Sequence, residues 1–234
     1  MKPIAVFRHS LTEGPGYIAT YMKGIGRDIK VVAIDRGDVV PHDPTAFAGL
    51  CFMGGPMSVN DPLPWIPEVL ALIRRAMDAD IPVIGHCLGG QLMSKALGGA
   101  VDANPVKEIG WRHVTLNGAA AREWFGEREG FLSFHWHGET FSLPDGATHL
   151  LASDACPNQA WAIGKHLAMQ CHIEMTEAMI REWCVGGQKE IRAASAQPTV
   201  QSAEGMQQDI EARVAALHAV AETAYAKWSE GLKD

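Results

Sequence analysis

Cys87 stands in the run Gly85-His86-Cys87-Leu88-Gly89-Gly90-Gln91, a setting suited to nucleophilic attack. The apolar residues 81–84 before it read as a buried strand and residues 91–97 after it as a helix, so Cys87 falls on the turn between them. That is a nucleophile elbow with sulfur in place of oxygen. Gly85 and Gly89 leave room for a sharp, strained turn, and the first free N–H groups of the helix point back at the sulfur. A cysteine nucleophile needs a base and a group to orient it. Among ten histidines, His172 ends the apolar run 167–171, and Glu174, two positions on, projects to the same face of an extended segment. Cys87, His172 and Glu174 are therefore a candidate Cys-His-Glu triad; the competing reading of His172 is a structural histidine at a strand end.

The other reactive side chains read as scaffold. Cys51, Cys156, Cys171 and Cys184 sit among apolar neighbours as small core residues. His86 is next to the nucleophile on the turn and should point away from it. His135 and His137 alternate onto one strand face and are weighed as zinc ligands with His172, but no fourth ligand or paired cysteines lie at suitable spacing. Neither a metal nor a cofactor is expected. Gly54-Gly55 lacks the Lys-Ser/Thr that would make it a phosphate loop. Trp111 and Trp136 suit core and pocket wall equally.

These residues need a scaffold, and the hydrophobic pattern supplies one. Strand-length apolar runs at 3–7, 30–34, 50–53 and 81–85 alternate with helical periods at 17–24 and 66–77, the pattern of a parallel sheet covered by helices. Shorter strands at 112–116, 131–134, 148–152, 160–163 and 167–171 then read as antiparallel additions. Residues 186–202 are polar and read as a loop. Met206, Ile210, Val214, Leu217, Ala221, Ala224 and Trp228 mark a closing amphipathic helix from near Ser202. The 234 residues are 47% hydrophobic and 20% charged, ordinary for a globular chain. A net charge of −7 without a Lys/Arg cluster argues against nucleic acid or an anionic membrane as partner. Five unpatterned cysteines and no apolar run long enough to span or target a membrane lead to a cytoplasmic expectation.

Gly85 to Gln91 together with the late Gln170-Cys171-His172-Ile173-Glu174 resembles the class I glutamine amidotransferases of the triad type. Further matches follow in order: Phe52 to Val59, Asn104-Pro105 to Glu108-Ile109-Gly110-Trp111, and Phe134-His135-Trp136-His137-Gly138-Glu139. Glu108-Ile109-Gly110-Trp111 and the early Glu13-Gly14-Pro15-Gly16 look most like the stand-alone branch resembling the amidotransferase domain of GMP synthase. The resemblance implies an α/β fold: a single flavodoxin-like three-layer domain with a mostly parallel central sheet, antiparallel additions and a C-terminal helix. Residues 1–185 would form the amidotransferase-like domain, and 186–234 a loop and helix packed on it. It further implies an oxyanion hole from the N–H groups of Gly55 and Leu88, and substrate contacts from Gly54, Gln91, Trp136, His137 and Gly138. Ile173 departs from the family, which usually has Pro between the triad His and Glu. The implied activity is cysteine-dependent hydrolysis of glutamine or a γ-glutamyl compound through a γ-glutamyl thioester. Three readings stay open: a stand-alone γ-glutamyl hydrolase, a glutaminase subunit feeding a separate synthase, and a silent binding module. A homodimer is only a general prior.

Overall fold

Successive residues of a strand face opposite sides of a sheet, and the first strand shows what that builds here. In the computed structural model, which describes residues 1–234, Ile4 and Val6 of β1 (Ile4–Arg8) enter one apolar layer while Ala5 and Phe7 enter another. The first layer is covered by α1 (Tyr17–Gly24) and the long C-terminal α8 (Ile210–Ser229), the second by α2 (Trp65–Asp78) and α3 (Leu88–Ala96). The result is one α/β molecule of three layers. β3 (Gly49–Phe52) and β4 (Val83–His86) are buried at every position, as strands covered on both faces must be. α2 turns Ile66, Val69, Leu72, Ile73 and Ala76 inward at helical spacing, and it is the expected crossover from β3 to β4.

The nine strands are ordered β2-β1-β3-β4-β9-β8-β7-β5-β6. β2 (Ile29–Ala33), β1, β3, β4 and β9 (His166–Met169) run parallel. β8 (Ala160–Ile163), β7 (Thr148–Ala152), β5 (Val101–Leu116) and β6 (Gly130–Phe141) add antiparallel pairings. The sheet is thus mixed, with a parallel and an antiparallel half that meet at β9. α4 (Gly118–Phe125) links β5 to β6.

Three expectations need correction. The strands expected at 112–116 and 131–134 are the ends of a long two-stranded ribbon, β5 and β6, whose register shifts between Ala103 and Glu108. Asn104-Pro105 sits in that irregularity, where a residue without an N–H costs the ladder nothing. The 186–202 stretch is not all loop: α5 (Glu177–Gly186) is followed at once by α6 (Gln188–Ala194), which buries Ile191 and Ala194. The closing helix is two helices. α7 (Ala203–Gln207) is capped by Ser202, whose Oγ accepts from the Gly205 N–H, and Asp209, left-handed at φ 52°, breaks the chain before α8.

Candidate active site

The turn from β4 into α3 forces Cys87 to φ 50°, ψ −109°, a strained conformation for a residue with a Cβ. The two glycines around it are sterically required. A methyl on Gly85 would lie 2.5 Å from the Gly89 carbonyl carbon, and one on Gly89 would lie 2.1 Å from the Phe52 carbonyl oxygen. The Cys87 N–H donates to Met169 O at 2.8 Å, which ties the elbow to the end of β9, the neighbouring parallel strand.

His172 lies just beyond that end. Its backbone pairs with Phe134 of β6, with the His172 N–H donating to Phe134 O at 2.8 Å. Its Nδ1 is 2.6 Å from Glu174 Oε1, both residues are buried, and Nε2 has no protein partner. His172 and Cys87 line the same cavity. Burial alone would push the His172 imidazole down, but the charges of Glu174 and Cys87 outweigh it and hold the group well above its ordinary value. Burial likewise favours the neutral acid at Glu174, yet His172 and His86 bring it down to about 2. A charged, hydrogen-bonded imidazole–carboxylate pair is the form these surroundings select. Ile173, in the place of the family's proline, is fully buried, so core packing holds the segment between His172 and Glu174.

His86 points away from the nucleophile, as expected, and reaches the back of this pair. Its Nε2 is 3.2 Å from the Tyr225 hydroxyl of α8 and 3.9 Å from Glu174 Oε2. Gly55 and Leu88 adjoin: a methyl on Gly55 would meet Leu88 Cδ2 at 2.7 Å. Leu88 opens α3, so its N–H has no carbonyl partner within the helix. Gln91 lines the cavity, and its Nε2 donates to Gln170 Oε1 at 3.1 Å while Gln170 Nε2 donates to Cys87 Sγ at 3.5 Å. Trp136, His137 and Gly138 also line the cavity, and Trp136 O is 3.9 Å from Cys87 Sγ. Gly54 does not line it; its α-carbon faces Glu13 and His172. Trp136 is pocket wall, whereas Trp111 is core, its Nε1 donating to Met206 O.

Several neighbours of Cys87 carry no local sequence signal. Trp183 of α5 sets its ring edge-on to His172 at 5.1 Å. Glu190 of α6 pairs with Lys107 and accepts from Trp136 Nε1 at 2.9 Å. Glu13 lies in a run already singled out, but only its place on the cavity wall gives it a role.

The zinc reading of His135 and His137 finds a different third residue. Glu108, not His172, brings its carboxylate within 4.8 Å of both rings. That carboxylate is already engaged: Oε1 accepts from Ser153 Oγ and faces Arg112 Nε, while Oε2 accepts from Gln159 Nε2 and faces His137 Nε2 at 3.0 Å. Burial opposes its charge, but His137, His135 and Ser153 hold Glu108 at about 2. The cluster is a buried polar group that places the Glu108 carboxylate of β5 against the histidines of β6.

The model of the family described as glutamine amidotransferase class-I matches residues 16–180. The chain belongs to this family. It is 31% identical over 208 residues to the glutamine amidotransferase-like protein YfeJ of Salmonella typhimurium, which covers 85% of this chain and 86% of that protein. It is 27% identical over 177 residues to a glutamine-hydrolyzing GMP synthase of Marinomonas, covering 67% of this chain and 30% of the synthase. Among solved structures, a glutamine amidotransferase of Methylobacillus flagellatus superposes with a TM-score of 0.97 at 44% identity, over 100% of this chain and 96% of that one. Class-I members are in general amide-hydrolysing enzymes. No helix of this chain is long and apolar enough to cross a membrane.

Proposed function

We propose that this chain hydrolyses a glutamine or γ-glutamyl amide through a γ-glutamyl thioester on Cys87. The observation that carries the reading is a cysteine on a strained strand-to-helix turn, opening on the same cavity as a histidine whose far nitrogen is held 2.6 Å from a buried glutamate.

The sulfur attacks the γ-carbonyl carbon, and the N–H groups of Gly55 and Leu88 receive the developing oxyanion. The protonated His172, favoured by Glu174, gives its Nε2 proton to the departing nitrogen, and the C–N bond breaks. The neutral imidazole then takes a proton from water, whose oxygen attacks the thioester; the C–S bond breaks, glutamate leaves, and the Cys87 sulfur is freed beside the protonated imidazole that began the cycle. Glu174 keeps Nδ1 protonated throughout and fixes the ring. Gln170 donates to the sulfur and aligns it, and Gln91 holds Gln170 in place. Gln91, Trp136, His137 and Gly138 bound the space for the glutamyl part.

The test is intact-protein mass spectrometry of wild type and Cys87→Ser after mixing with glutamine and a panel of γ-glutamyl amides, with released amine measured in parallel. A Cys87-dependent glutamyl adduct or amine release is expected. Its absence from every compound overturns the reading. The similarity to GMP synthase favours one second reading, a glutaminase that passes ammonia to a separate synthase; glutamine turnover that rises only with such a partner would select it.

A further inference from the structure

The cavity at Cys87 has a volume of about 630 Å³, in the range of sites for ligands far larger than glutamine. Its charge is one-sided. Four carboxyl groups line it, Glu13, Glu139, Glu182 and Glu190, against the Lys107 ammonium and the His172 imidazole. Lys107 is spent on Glu190, and Glu139 accepts from Ser58 Oγ at 2.9 Å. Glu13, half-buried on the cavity wall, has neither an ion-pair nor a hydrogen-bond partner for its carboxyl, and partial burial raises it to about 7 against the opposing charge of His172. A half-buried carboxyl on a cavity wall, with no partner in the protein, is open to a cationic group of a ligand.

Its position says which half of a substrate would do so. A methyl on Gly54 would lie 2.0 Å from Glu13 Oε2 and 3.3 Å from His172 Cε1, so Glu13 borders the ring that faces the departing nitrogen. The α-ammonium of a γ-glutamyl group is three carbons from the reacting carbonyl, on the acyl side. Glu13 is placed for the amine side.

We propose that the site takes γ-glutamylated diamines, with Glu13 receiving the ammonium at the far end of the leaving amine. This rests on the hydrolase reading above and names its substrate class. Water is the only co-reactant: the γ-amide C–N bond breaks, the new C–O bond gives glutamate, and the diamine leaves with the proton from His172. Glu13 is a specificity residue in this scheme, since it meets a part of the substrate that does not react.

The experiment compares kcat/KM for three γ-glutamyl amides of equal length whose leaving amines end in an ammonium, a methyl and a carboxylate: γ-glutamyl-putrescine, γ-glutamyl-butylamide and γ-glutamyl-4-aminobutyrate. Glutamine serves as the control for the chemistry itself. The ammonium-ended amide is expected to lead the methyl-ended one about tenfold, as one partly desolvated ion pair would give, with the carboxylate-ended amide slowest. Added salt should shrink the lead. In Glu13→Gln the ratio of the first two should fall toward one, and Glu13→Asp should recover part of it. Glutamine or butylamide turnover without an ammonium preference overturns this inference and leaves the hydrolase reading standing. So does a preference that Glu13→Gln does not alter. No turnover and no Cys87 adduct with any compound overturns both.

Discussion

Glu174 gives one oxygen to His172 and turns the other toward His86 at 3.9 Å, so its charge and its placement can be tested separately. Glu174→Gln keeps the shape and removes the charge that favours protonated His172. The expected result is a fall in kcat of roughly 10²- to 10⁴-fold with little change in KM, read from steady-state hydrolysis of glutamine; an unchanged kcat would remove Glu174 from the mechanism. Cys87→Ala should abolish turnover and the glutamyl adduct while the protein stays folded, since the side chain lost is small and sits at the edge of the cavity. Adduct on any other cysteine would relocate the chemistry. Cys51 and Cys171 are poor candidates, because burial lifts the Cys51 thiol well above its ordinary value and the Cys171 thiol to about 12.

The elbow is where an element's packing and the site's chemistry meet. Gly89→Ala would drive a methyl against the Phe52 carbonyl of β3, and backbone on both sides leaves no flexible neighbour to yield. A loss of about 1 to 3 kcal/mol is expected, visible as a lowered midpoint in chemical denaturation, together with reduced kcat because Cys87 and Leu88 move with the helix. These local features were legible from periodicity: the strand before Cys87, the helix after it, and the i, i+2 pairing of His172 with Glu174. The β5–β6 ribbon was legible only at its ends, because Lys107, Glu108 and Glu139 interrupt the apolar alternation that marks a strand. α6 escaped notice because only Ile191 and Ala194 of it are buried, too few for an amphipathic signature. The break at Asp209 was hidden because Met206 and Ile210 keep helical spacing across it. The acidic cavity wall was out of reach for a different reason. Glu13, Glu139 and the neighbouring pair Glu182 and Glu190 come from three segments far apart in the chain, and only the topology brings them together.

Across the whole molecule, stability should depend on pH through its buried histidines. Burial pushes His9 and His166 down to about 4 and His135 to about 3, and lowers His86 and His218 as well. Below about pH 6.5 the unfolded chain takes up protons that these folded residues refuse, so stability falls as pH drops from about 6.5 toward 4. Glu13, raised to about 7, works in the opposite sense between about 4.5 and 7, and His172, held well above its ordinary value, does so near and above 6.5, but these are two groups against five. Glu174 and Glu108, held at about 2, add a further loss as pH falls below about 4.5. Thermal midpoints measured from pH 4 to 7 should therefore start to decline near 6.5; a flat profile down to 4.5 would contradict the buried neutral histidines. The place of β9 in the sheet has a kinetic consequence. Cys87 follows β4 and His172 follows β9, adjacent strands whose connecting chain is the entire antiparallel half. Nucleophile and base therefore meet only after β5 to β8 have closed that long excursion, and non-local closure is the slow part of folding. In refolding from denaturant, helical circular dichroism should return before glutaminase turnover, with activity confined to the last phase.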